Sequence, residues 1–302
     1  MFKRIGLFML TNLVIIITIS VLLNLLGVGG YLSGTGINYE ALLVFCAVWG
    51  MGGAFISLAM SRMVAKWSMG VQIIEPNNPG EFSGLLNTVH ELARSAGLPA
   101  MPEVGVYHSP EVNAFATGPT KSRALVAVSS GLLSSMNRDQ VEGVLGHEIA
   151  HIANGDMVTM TLIQGVVNAF VMFFARVLSF AISQALASRS SDGERVPNHM
   201  VMMLLTVVFE LVFGLLGMIV VSWFSRQREF RADRGGAEYA GRGKMVSALQ
   251  ALQRALPYQP PEKHESLATM KMSSQPGGAL RALFMTHPPL EVRIARLLQQ
   301  QD

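Results

Sequence analysis

The sequence predicts a mainly α-helical polytopic membrane protein with about four transmembrane helices, interrupted by segments of α+β character that carry a small β-sheet. Composition is the first reason. Hydrophobic residues make up 50% of the 302 residues, charged residues only 14%, and mean hydropathy is +0.39, too apolar for a soluble domain of this length. The second is arrangement, because the long apolar runs come in two pairs, each joined by a short connector. The third is the stretch between the pairs, GHEIAHIANGD from Gly146 to Asp156, where polar chemistry is concentrated.

In chain order, Leu7 to Leu26 is almost unbroken apolar sequence behind Lys3 and Arg4, long enough as a helix to cross the hydrocarbon core. A cleaved signal peptide is the rival reading, but its core should be shorter. Glu40 to Met60 is the second span, with Gly50, Gly52, Gly53 and Ala54 permitting close helix approach, and Arg62 and Lys66 follow it. Basic residues flank this hairpin at both ends while the connector Gly27 to Tyr39 has none, so both ends face the cytoplasm.

From Trp67 the pattern changes. Phe82 to Ala96 has apolar residues at helical spacing and ends at Gly97. Val104 to His108 reads as a strand. Asn113-Ala114-Phe115-Ala116, a turn at Gly118-Pro119, and Ala124 to Val128 read as a β-hairpin whose edge could pair with an extended peptide or be plain scaffold. Asn137 with Gln140 makes a capping box for a helix that Asn154-Gly155 stops. His147 and His151, four apart, share one face of that helix and can bind one metal ion. Glu148 between them is placed to exchange protons with water at the metal. Cys46, the single cysteine, lies in an apolar run, so a thiolate site within the chain is excluded and any metal is held by His, Glu or Asp. Two imidazoles with a carboxylate suit zinc, leaving a fourth position open.

Thr159 to Ala187 and Met200 to Phe224 form the second hairpin, joined by a polar connector. Arg176 and Glu210 are the charges inside it, at depths that allow them to pair. Beyond Phe224, the arginines from Arg226 to Arg234 mark the cytoplasmic side. In that run Glu229 and Asp233 share a helix face. Glu229 can complete a zinc set with Asp233 orienting an imidazole, or both can be acids of a surface helix paired with arginines. Gly243 to Leu256 and Pro288 to Gln300 are two amphipathic helices, with a loop from Tyr258 to Gly278 between them. The expected segments are 1–66 (membrane hairpin), 67–157 (HExxH segment), 158–225 (second hairpin) and 226–302 (third-ligand segment). The basic excess is confined to the end of the chain, next to an apolar span, and no nucleic-acid partner follows from it.

The HEIAH helix, the REFRAD element and the segment THPPLEVRI from Thr286 to Ile294 together resemble the membrane-integrated zinc endopeptidases of the HtpX heat-shock type, relatives of the CAAX prenyl proteases. The resemblance covers nearly the whole chain. It implies a zincin-like catalytic domain with one Zn2+ per chain on His147, His151 and Glu229. Glu148 is then the catalytic base and Asp233 an outer partner of a ligand. His287 and Arg293 match residues that line the substrate groove, His287 as an oxyanion stabiliser, and Asn113, Ala114, Phe115 and Ala116 form the strand that pairs with substrate. The prenyl proteases have more spans, so the resemblance implies a bacterial quality-control endopeptidase of the plasma (inner) membrane, with termini and active site cytoplasmic. It would act on misfolded or damaged membrane proteins, as a homo-oligomer or beside other membrane quality-control proteases. A membrane scaffold or chaperone-like protein with a structural or absent metal is the alternative; three evident ligands rather than four weigh against it.

Overall fold

The computed structural model describes residues 38–189, 195–196, 199–255 and 283–299. The expected span Leu7 to Leu26, most of the first connector and the loop Tyr258 to Gly278 lie outside them. Among the described residues three helices are long and apolar enough to cross a membrane: α1 (Tyr39–Ser68), α5 (Asp156–Ala185) and α6 (His199–Ala240). They cover the other three expected spans except for Leu186 and Ala187 at the end of one. The third runs on well beyond Phe224, because nothing in SRQREFRADRGGAEYA interrupts a helix until Gly241, whose φ is 98°.

The chain divides into two compact units, one from Met1–Ser57 with Met160–Val221, the other from Leu58–Thr159 with Ser222–Asp302. In the first, Leu43, Cys46, Met51 and Phe173 form a buried cluster. Small residues set its helix spacing: a Cβ on Gly50 would lie 2.6 Å from the Ala169 backbone nitrogen, and one on Gly165 2.6 Å from the Met51 sulfur. Arg176 donates to Glu210 at 2.9 Å, as their depths suggest, and its guanidinium lies 5.7 Å from the Phe45 ring centroid. The connector carries a two-stranded ribbon, β5 (Ser188–Arg189) with β6 (Arg195–Val196).

The second unit holds a four-stranded sheet. Its strands are β1 (Gln72–Ile73), β2 (Glu103–Tyr107), β3 (Ala114–Thr120) and β4 (Arg123–Ser129), in the order β1-β2-β4-β3. β2 and β4 are parallel and β3 is antiparallel to β4, which leaves β3 at an edge. Gly118-Pro119, expected as the hairpin turn, instead lies inside β3 at an irregularity between Thr117 and Thr120, and the chain reverses at Lys121-Ser122. An edge strand tolerates proline because its missing N–H is not needed by a neighbour. Gly118 takes φ 146°, and a Cβ there would strike the Arg123 carbonyl.

Helix α2 (Ser83–Ser95) packs with α4 (Arg138–Asn154) around Val89, Leu92, Val126, Val128, Leu145, Ile149 and Ile152. A short α3 (Ser130–Ser135) leads from β4 towards α4. Helices α7 (Arg242–Ala255) and α8 (Leu290–Gln299) close the unit, with Met245 and Leu249 buried against Leu290 and Leu297. Arg62 and Lys66, expected only as a basic flank, both pair with Glu103 of β2.

Candidate metal centre

Helix α4 forms as its sequence dictates. The Asn137 and Gln140 side chains and backbone exchange hydrogen bonds in a capping box, and Gly155 ends the helix in the left-handed region at φ 73°. Val144, Leu145 and Ile149 bury one face, which fixes the opposite face of the helix towards α6. Close approach there depends on small residues. A Cβ on Gly146 would lie 2.9 Å from that of Ala240, and one on Gly236 2.9 Å from the His147 backbone nitrogen.

That approach brings His147, His151 and Glu229 into one group. Their Nε2 atoms are 3.1 Å apart, and each lies 3.4 Å from a Glu229 oxygen. On the far side of each ring a carboxylate fixes the tautomer, Asp233 at 3.0 Å from His147 Nδ1 and Asp156 at 2.6 Å from His151 Nδ1. With a proton on each Nδ1, both Nε2 lone pairs point at one place. Both oxygens of Glu229, which is 1% exposed, have no hydrogen-bond partner. Two lone pairs and a buried carboxylate without a hydrogen bond, converging on one point, are unfavourable unless a cation occupies it. The donor set, two imidazoles and a carboxylate, is a zinc set.

Burial pushes the His147 pKa down, but the neighbouring carboxylates of Asp233 and Glu229 outweigh it and raise it to about 9. His151 is also raised, with burial opposed by Asp156 and Glu229.

A cavity of about 280 Å³ opens onto this group, lined by Asn113 to Ala116, Glu148, Arg228 and His287 among others. The start of β3 is held where it borders the cavity, since Asn113 N–H donates to Ser129 Oγ and Ser129 N–H to the Asn113 carbonyl. His287, 40% exposed, brings Nδ1 to 3.0 Å from Glu229.

Arg293 is the residue whose place differs from expectation. It is 4% exposed and absent from the cavity wall; its guanidinium grips Asp233 through Nε at 2.8 Å and Nη2 at 2.5 Å. The reason is helical spacing, since Leu290, Arg293 and Leu297 share the buried face of α8. It thus holds the Asp233 carboxylate, which lies 3.0 Å from His147 Nδ1.

Sequence reasoning missed Asp156 and Arg226. Asp156 follows a left-handed helix stop, a geometry that turns the chain back beneath His151, and that was the available signal. Arg226 donates to the carbonyls of Leu283 and Met285, which anchors the segment leading to His287; no local pattern announces it.

A profile of Peptidase family M48 matches residues 79–301. The chain is 53% identical to a Protease HtpX homolog of Thiobacillus denitrificans over 98% of both chains. It is 51% identical to Protease HtpX of Aeromonas hydrophila over 98% of this chain and 99% of that one. The crystal structure of S. mikatae Ste24p superposes with a TM-score of 0.56 at 18% identity, covering 98% of this chain and 66% of that one, a likeness of fold. A histidine pair and a glutamate converging on one cation site thus sit in a chain that belongs to peptidase family M48, a membrane metalloprotease whose metal is zinc.

Proposed function

We propose that His147, His151 and Glu229 hold one zinc ion, that Glu148 is the general base, and that the enzyme cleaves extended segments of misfolded membrane proteins. The observation that carries the ligand assignment is the convergence of two Nε2 atoms and a partnerless carboxylate, backed by Asp233 and Asp156. When bound, zinc supplies Lewis acidity, polarising a carbonyl and acidifying water. Glu148 lines the cavity beside His147, half-buried, where it takes a proton from the attacking water and returns it to the leaving amine. His287, with its ring at the cavity wall and its Nδ1 near Glu229, donates to the oxygen that becomes negative as the carbonyl is attacked. Arg293 and Asp233 keep the His147 ring from rotating.

Substrate lies antiparallel along the outer edge of β3 at Asn113 to Ala116, whose free backbone groups recognise any extended chain regardless of side chains. That tolerance suits a quality-control protease. The apolar spans and the basic residues at Lys3, Arg4, Arg231 and Arg234 support a four-span protein of the bacterial inner membrane with both termini and the site cytoplasmic. The functional division follows the segments 1–66, 67–157, 158–225 and 226–302. Unfolded casein incubated with the purified protein, with and without chelator, tests the activity. Trapping on a Glu148→Gln variant in cells tests the substrate class, and a trapped population made only of folded soluble proteins would reject it.

A further inference from the structure

The arginines after the third span do not all face solvent. Arg231 and Arg234 are exposed, and Arg226 is spent on the Leu283 and Met285 carbonyls. Arg228 does something else. Its side chain is 25% exposed and lines the same cavity as Glu148, His287 and the Asn113 to Ala116 strand, and among the described residues it is the one permanently cationic side chain in that wall. Its Nε is buried without a hydrogen-bond partner, and the nearest acid is Glu229 at 3.8 Å, beyond hydrogen-bond range. Glu229 is moreover committed to the zinc site, so it is no counter-ion for Arg228 once metal is bound. A guanidinium at a cleft wall whose buried Nε–H is unsatisfied carries an unmet demand for an anionic oxygen, and its planar fork matches a carboxylate.

We infer that Arg228 is a specificity-determining residue that binds a carboxylate of the substrate close to the scissile bond, an acidic side chain or a free C-terminus. The inference rests on the peptidase site described above and adds a preference to it. Helix α6 would then serve the reaction twice, with Glu229 turned to the metal and its neighbour Arg228 turned to the peptide. Backbone pairing along β3 supplies general affinity, and Arg228 selects the position along a chain at which cleavage occurs.

The test uses the zinc-loaded full-length protein in detergent and two sets of peptides. One set contains pairs that differ only by Glu against Gln, scanned across the residues flanking the scissile bond; the other contains pairs with free or amidated C-termini. The wild type is expected to favour the carboxylate member of one set by about tenfold in kcat/KM, the scale of one charge-assisted hydrogen bond. Arg228→Gln should bring that ratio to about one, and Arg228→Lys should restore part of it, with zinc content equal in all three proteins. Which set shows the effect identifies the source of the carboxylate. A wild type without preference in either set, or a preference that survives Arg228→Gln, overturns the inference. Cleavage of the uncharged members by the wild type tests the peptidase site separately.

Discussion

Arg176–Glu210 in one unit of the molecule and Arg293–Asp233 in the other are both arginine–carboxylate pairs, and the two are opposites. In the unit built from the first parts of α1 and α6 together with α5, Arg176 and Glu210 meet at 2.9 Å with side chains about one-third exposed, among helices whose outer faces carry Trp49, Leu204, Leu211 and Leu215. In the other unit Arg293 and Asp233 are 4% and 3% exposed, doubly bonded, and continuous with His147 and the metal group. The first pair neutralises two charges that apolar surroundings would otherwise penalise. The second transmits orientation. What separates them is connectivity, because only the buried pair has a neighbour whose geometry depends on it.

The most severe change leaves both pairs intact. Glu148→Gln preserves the shape of the cavity but cannot accept a proton, so kcat is expected to fall by about 10²- to 10⁴-fold. Zinc per chain, measured by atomic absorption, should stay at the wild-type value.

The comparison itself is sharpened by removing one arginine from each pair. Arg293→Leu leaves the buried Asp233 carboxylate with His147 as its remaining partner and should cost about 3 kcal/mol of stability. Arg176→Leu should cost about 1 kcal/mol, the scale of polar contacts between membrane helices. Denaturation in detergent, read separately for each variant, checks this. Equal losses would mean that connectivity is not what distinguishes the pairs.

A milder perturbation keeps the fold and loosens the imidazoles. Asp233→Asn and Asp156→Asn should each weaken zinc binding by about 10- to 100-fold, whereas Glu229→Ala should abolish it. Competition against a chromogenic chelator distinguishes the three.

Proton balance gives the smallest effect. His147 in the metal-free protein is held at about 9 against an ordinary 6.5. Its contribution to metal-free stability is therefore fully present below pH 6.5 and is lost as pH rises through 9. Zinc must displace that proton, so apparent zinc affinity should rise about tenfold per pH unit up to pH 9, with at least one proton released on binding. Calorimetry in buffers of different ionisation enthalpy measures the release. No release at pH 7.5 would show that the ring is neutral before metal arrives.

What could be read from the residues divides along a similar line. Helix α4 was fully legible because its cap, its stop and its His147–His151 spacing are all local. Glu229 was legible only as one of two alternatives until the family resemblance chose between them. Arg293 was placed in the wrong setting, since its partner Asp233 is far away in sequence and only the shared face with Leu290 and Leu297 brings them together. The turn at Gly118-Pro119 was misplaced because those residues usually punctuate a chain, while an edge strand can absorb them. Gly235 and Gly236 carried no signal of their own. Their importance appears only once α4 is known to lie against them, a Cβ on Gly235 falling 2.7 Å from that of Ala150.

The order of the ligands along the chain has a consequence for biogenesis. His147 and His151 precede α5, and Glu229 follows the apolar part of α6. A nascent chain that has released its histidines from the ribosome must still have the whole second hairpin synthesised before the third donor exists. On the proposed ligand set, activation is tied to completion of the hydrophobic segments, and a truncated chain that ends anywhere within them has His147, Glu148 and His151 without Glu229. The reading order of the gene thus acts as a timer, withholding the third donor from every partial product that stops short of residue 229.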